Sequence, residues 1–205
     1  MNNLDKLISL FEQFPGVGAR QAKRFAFHIL TMNESDSGEL SRLIAELRGS
    51  VVECASCHRF FVTQTGNTCN ICTSANRDHG RLLVVERDSD VQAIERAGAY
   101  DGLYFVLGGT VPLLNTGENN RLRAGALKAT VETRLPSGLF EVILGFSINP
   151  DGENTARFVE SILRPLLEET NIKITYLGRG LSTGSELEYA DTETIKNALR
   201  NRATH

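Results

Sequence analysis

Apolar residues at Leu4, Leu7, Ile8 and Phe11 fall at the i, i+3, i+4, i+7 spacing of an amphipathic helix with one buried stripe. Phe14-Pro15-Gly16-Val17-Gly18 ends it, and a second helix is expected from about Ala19 to Leu30, with Ala22, Phe25, Ala26 and Ile29 on one side. Leu40, Leu43, Ile44 and Leu47 mark a third, with Asp36-Ser37-Gly38 as its lead-in, so the chain opens with a small helical module. From Arg81 the period changes. Leu82 to Val85, Leu103 to Leu107, Val142 to Phe146 and Ile172 to Leu177 are short apolar runs that read as buried strands. Between them lie helical stretches: one that Ser89 can cap with Gln92 and that buries Val91, Ile94 and Ala97; one around Leu122 to Arg134; and one over Thr155 to Leu167 that Pro165 should kink or break. A Gly/Pro/Asn-rich loop spans Gly108 to Asn120. Buried strands joined by helical crossovers predict a mostly parallel sheet covered on both faces.

One stretch between the helical and α/β parts obeys neither period. Cys54-Ala-Ser-Cys57 and Cys69-Asn-Ile-Cys72 hold all four cysteines of the chain. Two CxxC knuckles each aim both sulfurs at one ion, so the set reads as a closed four-thiolate site for one structural Zn²⁺, with no position left open for substrate. Two disulfides suit this chain less, because it shows no signal peptide and no disulfide-dense small scaffold. An iron–sulfur cluster has the same ligand count, and a lone CxxC can be a redox pair. The span from His58 to Thr68 is too short for a core of its own, so bound metal would supply its folding energy. His58 reads as a solvated neighbour of the site. The polar run Thr73 to Gly80 reads as the linker out of it.

Length and composition narrow the class without naming a function. The 205 residues, 41% hydrophobic and 23% charged, suit one main domain with small modules attached, and no apolar run approaches a bilayer span. A cytoplasmic protein is expected. The net charge of −3 argues against a protein that coats nucleic acid over its whole surface, so any such contact has to be local. A local excess exists: Arg20, Lys23 and Arg24 project opposite the apolar side of the second helix, and no acidic residue occurs between Glu12 and Glu34. Gly16 and Gly18 can take positive φ and let a ligand approach the backbone, and the helix that follows opens with unpaired amides and the positive end of its dipole. Arg20 and Arg24, one turn apart, could then grip neighbouring phosphates of DNA without reading sequence. The same pattern also suits a solvated basic face.

In parallel sheets, function collects at the carboxyl ends of the strands. Glu86 follows the first strand there, and Asp151 and Glu153 lie in the loop after the third. Clustered carboxylates could bind Mg²⁺, or could cap helix N-termini, as Glu153 would. No nucleotide-binding motif is present: Gly178-Arg179-Gly180 lacks the GxGxxG spacing, and GxxxxGK[ST] does not occur.

The order of these parts resembles the RecR family of bacterial recombination mediators almost end to end. The resemblance rests on Phe14 to Arg24, on the four cysteines with Asn70-Ile71-Cys72, on the strand ending at Glu86, on Asp151-Gly152-Glu153-Asn154-Thr155-Ala156, and on Gly180 to Asp191. It implies a helix-hairpin-helix DNA-binding module over 1–52, a zinc module over 53–79, a Toprim domain over 80–177 and a C-terminal segment with an oligomerisation helix over 178–205. The loop departs from the family pattern in that Asn149-Pro150 is displaced by two residues and Asp151 replaces Glu, and Ser182 stands where the C-terminal signature has proline. Catalytic Toprim proteins carry an Asp-x-Asp pair, and the matching positions here are Ser147 and Asn149, which supply no anionic charge for Mg²⁺. The resemblance therefore implies a non-enzymatic mediator of recombinational DNA repair. It implies a homo-oligomer, a tetrameric ring built from dimers, that clamps DNA and acts with RecO and RecF to help load RecA on gapped DNA. Apolar stripes at Leu4, Leu7, Ile8 and Phe11 and at Ile195, Ala198 and Leu199 are available for self-association. The rival reading is a metal-dependent Toprim nuclease or topoisomerase-like enzyme.

Overall fold

The computed structural model describes residues 1–63, 65–113, 122–168, 170–181, 184 and 186–201. Most of the Gly/Pro/Asn-rich loop, and Ser182 of the C-terminal signature, lie outside them. The chain divides into two compact units, Met1–Val52 and Glu53–His205.

In the N-terminal unit, α1 (Asn3–Glu12) is capped by Asn2, whose side chain accepts from the Asp5 N–H at 2.9 Å. A tight turn follows in which the Val17 N–H bonds to the Phe14 carbonyl at 3.0 Å, with Pro15 second and Gly16 third at φ +76°. Proline followed by a positive-φ glycine is what a type II turn requires. Gly18 is extended, at φ −84°, and is the N-cap of α2 (Ala19–Thr31), so only Gly16 uses the left-handed freedom expected of both glycines. Ala22 and Ala26 are buried, and Phe11 meets Phe14 and Phe25 edge-on at 5.8 Å, so α1 and α2 pack as a hairpin. Helix α3 (Glu34–Ser50) starts two residues before its expected lead-in, capped by the Asn33 side chain on the Asp36 N–H at 2.8 Å. It does not complete a three-helix core: Leu40, Leu43, Ile44 and Leu47 stay 36 to 64% exposed.

Strand β1 (Val51–Glu53) leads into the second unit, where β2 (Phe60–Val62), α4 (Asn70–Thr73) and β3 (Asp78–Val85) follow. The expected linker is therefore short, because His79 and Gly80 already belong to β3. Helix α5 (Asp88–Ala97) is capped two residues earlier than Ser89 and Gln92 suggested: the carboxylate of Asp90 accepts from the Arg87 N–H at 2.8 Å. Then come β4 (Gly102–Val106), α6 (Ala124–Arg134), β5 (Glu141–Gly145), α7 (Pro150–Glu168), β6 (Lys173–Tyr176) and α8 (Thr192–Arg200).

Four strands form one wholly parallel sheet in the order β4-β3-β5-β6, with Leu82 opposite both Leu103 and Val142 and Leu144 opposite Tyr176. Leu82 to Val85 and every residue of β4 are buried, so both faces of these strands are covered. The expectation for α7 needs correction at both ends. It begins at Pro150, and it runs through Pro165 to Glu168. Proline removes the N–H that would meet the carbonyl of Ser161, and both residues are exposed, so that carbonyl lies on the side water can reach.

Candidate functional site

The two knuckles close around a common point. The Cys54 and Cys72 sulfurs lie 3.9 Å apart, those of Cys57 and Cys69 3.6 Å apart, and all four fall within 4.8 Å of one another. A tetrahedral ion with metal–sulfur bonds of about 2.3 Å would space its ligand sulfurs by about 3.8 Å, so the four residues fit one metal ion. All four are free thiols, not disulfides, and a cluster spreading its thiolates over several irons would need a wider set. Cys54, Cys57 and Cys69 are fully buried. The Cys57 and Cys69 sulfurs lie within hydrogen-bond reach of each other, and that contact holds Cys57 above and Cys69 below the ordinary thiol range, so one thiolate of the pair is favoured.

Local backbone explains the convergence. The His58 N–H bonds to the Cys54 carbonyl at 2.9 Å, closing the first knuckle with His58 in the left-handed region at φ +62°. The Cys69 N–H points at the Cys54 sulfur at 3.3 Å, and Arg59 donates to the Asn70 side chain at 3.0 Å, tying one knuckle to the other. His58 is not the solvated neighbour its position suggested. Its Nδ1 bonds to Glu53 at 2.6 Å, its ring meets Phe105 edge-on at 5.0 Å, and its side chain is only 20% exposed. The knuckles are also part of the main core: Cys54, Cys57, Cys69 and Ile71 share one apolar cluster with β3 and β4, and the Cys57 carbonyl accepts from the Val106 N–H at 2.8 Å.

The acidic residues at the sheet's carboxyl end are each engaged by the protein. Glu86 is 6% exposed and accepts from the Ser147 N–H at 2.6 Å. Asp151 accepts from the Leu113 N–H at 2.9 Å, and its carbonyl accepts from the buried Thr155 hydroxyl at 2.6 Å. Glu153 pairs with Arg179 at 3.0 Å and with Arg157 at 3.8 Å. The helix-capping role considered for Glu153 belongs to Asn149, whose side-chain oxygen accepts from the Gly152 N–H at 2.8 Å. Among the described residues, the four cysteines are the one set of three or more His, Cys, Asp or Glu side chains whose ligand atoms converge. Arg179 had no signal in the sequence, because 26 residues separate it from Glu153 and only the β5–α7–β6 crossover joins them.

On α2, Arg20, Lys23 and Arg24 are exposed on the side away from Ala22 and Ala26. The helix begins at Gly18 with no side-chain cap, and a Cβ at Gly18 would meet nothing within 4 Å, so the backbone is open to approach.

Three family models match the chain. The RecR helix-hairpin-helix model covers residues 4–48, the Toprim domain model 80–178 and the RecR C-terminal model 180–203. Curated relatives named Recombination protein RecR match over nearly full length. That of Desulforudis audaxviator is 39% identical over 201 residues, covering 98% of this chain and 96% of the relative. That of Streptococcus thermophilus is 34% identical, covering 96% of this chain and 94% of its own, and that of Chlorobaculum tepidum is 32% identical, covering 98% and 96%.

Proposed function

The chain belongs to the RecR family, and from that premise we propose that it is a DNA-binding mediator of recombinational repair that acts without catalysing a reaction on DNA. The observation that carries the reading is the exposed row Arg20, Lys23 and Arg24 on a helix that opens at Gly18, in a protein of net charge −3. Such a row holds phosphates of any sequence, with Gly16 and Gly18 letting the strand come close to the turn. Two supports come from elsewhere. The four cysteines hold one structural Zn²⁺, which leaves no open coordination position for chemistry. The acids of the Toprim end are committed to Ser147, Leu113 and Arg179, and Asn149 is used as a helix cap, so the site is a scaffold.

Self-association completes the reading. In the N-terminal unit only Ala22 and Ala26 are buried, and the apolar stripe of α3 lies open, while Leu4, Leu7, Ile8 and Phe11 are already half-buried in the hairpin. A second copy covering α3 would bury that stripe and bring several hairpins to one DNA, raising affinity by multivalency. Family resemblance extends this to a tetrameric ring, a cytoplasmic place of action, partnership with RecO and RecF, and loading of RecA on gapped DNA.

The test is a titration at low salt with two duplexes of unrelated sequence. Arg20→Ala with Arg24→Ala should weaken both to a similar degree and flatten the salt dependence by about two phosphate contacts, with helicity unchanged. Unchanged affinity rejects the hairpin as the DNA site. Plasmid nicking with Mg²⁺ that is lost in Glu86→Gln rejects the scaffold in favour of an enzyme.

A further inference from the structure

On the α2 wheel, at 100° per residue, the buried Ala22 and Ala26 define one pole. Phe27 lies about 120° round from it, between Lys23 and Arg24. It follows Lys23 by four positions and Arg24 by three, so it projects one turn further along the same face as the cations, and it is 54% exposed. Arg20, Lys23, Arg24, Phe27, His28 and Thr31 line a shallow depression of about 750 Å³ on this face. The ring contacts inside the hairpin are those of Phe11 with Phe14 and Phe25, and Phe27 is more exposed than Phe25, which also borders the depression. What the face offers is cations for a phosphate backbone and, one turn along, an aromatic surface.

We propose that Phe27 stacks on an unpaired base of a strand whose phosphates lie on Lys23 and Arg24, so that this face favours single-stranded or gapped DNA over intact duplex. The inference rests on the DNA-binding reading of the hairpin and names which form of DNA it takes. Positive charge along a backbone and an aromatic platform for bases is the combination that holds single strands without reading their sequence, because every base has a π-face. A fully paired duplex keeps its bases stacked on each other and offers the ring nothing. Exposed Leu30, 60° round the wheel from Phe27, gives the ring an apolar shoulder against which a base edge can rest. A second copy of the chain is the competing occupant, but one seated there would have to cover Arg20, Lys23 and Arg24, whose charge a nucleic acid complements.

The experiment compares the full-length protein with Phe27→Ala and Phe27→Leu on three fluorescent probes of equal length: an oligothymidine strand, a duplex, and a strand of abasic sites. Alanine is the strongest helix former and the site is exposed, so the fold is kept, with circular dichroism as the check. Both variants should bind oligothymidine roughly tenfold more weakly, while affinity for duplex and for the abasic strand stays as in the parent. Equal oligothymidine affinity in parent and variants overturns the proposal, as does an equal loss on all three probes. A fall in molar mass by light scattering in either variant also overturns it, assigning Phe27 to a contact between copies. Arg20→Ala with Arg24→Ala separates the two levels. Loss on all three probes supports the underlying reading whatever Phe27 does, and no loss on any rejects both.

Discussion

A single buried thiol is where the chemistry of this protein is most exposed to test. Cys57 is fully buried with its sulfur 3.6 Å from that of Cys69, and no fifth His, Cys, Asp or Glu ligand atom joins the four among the described residues, so replacing it with serine removes a ligand that has no substitute. Cys57→Ser should release the metal and loosen residues 54–72, because binding energy at such a site is folding energy. Elemental analysis and proteolysis check it, and iron in place of zinc would correct the metal while leaving the site intact. Glu95 gives the acid-side prediction. Its hydrogen bond from Arg77 holds the carboxyl below its usual range, with the Tyr104 hydroxyl donating to the same group at 2.7 Å. A lowered folded-state value means stabilisation present above the ordinary value of 4.5 and lost as pH falls through the folded one. Unfolding measured between pH 6 and pH 3 should therefore show a stability decline that Glu95→Gln flattens, at a cost of about 1–2 kcal/mol at neutral pH.

At the scale of elements, the loop between β5 and α7 shows how closely backbone and site are joined. A Cβ on Gly152 would meet the Ser147 carbonyl oxygen at 2.0 Å, so Gly152→Ala has to push the loop open and break the Ser147 bond to Glu86. Denaturant titration should show a loss of about 2 kcal/mol or more, with the metal site still occupied. This loop also marks where the sequence stopped being readable. The runs of β3 and β4 could be read as strands because burial on both faces leaves no polar position, and the cysteine spacing could be read because two CxxC knuckles aim four sulfurs at one point. Carboxylates were ambiguous: Glu86, Asp151 and Glu153 look alike in sequence whether they await a cation or accept from Ser147, Leu113 and Arg179, since those partners come from other elements. The stripe on α3 is legible only in part for a related reason. Its period shows that Leu40, Leu43, Ile44 and Leu47 share a side, but period does not say that the cover belongs to the same chain.

Across the whole molecule, the two units are unequal in what they bury. Residues 53–205 hold the sheet core and the cysteines, whereas the first 52 residues bury two alanines and leave α3 bare. A unit that small has too little core to stand alone, so its helicity should depend on concentration, as an assembly's does. Leu43→Asp with Ile44→Asp should lower the molar mass by light scattering and weaken duplex binding, although both positions lie on α3 and not in the basic row of α2. An unchanged mass would place the contact between copies elsewhere. The hydrogen bond from Val106 to Cys57 has a consequence of a different kind. Strand β4 is the outer strand of the sheet on that side, and the first knuckle, which carries two of the four cysteines that could hold a metal ion, lies against its rim. Taking the ion away would loosen that cover and present an apolar strand with open ladder positions, the usual template for chain-to-chain pairing. A metal held there would then guard against aggregation as much as add stability, and protein stripped of it should precipitate before it unfolds fully.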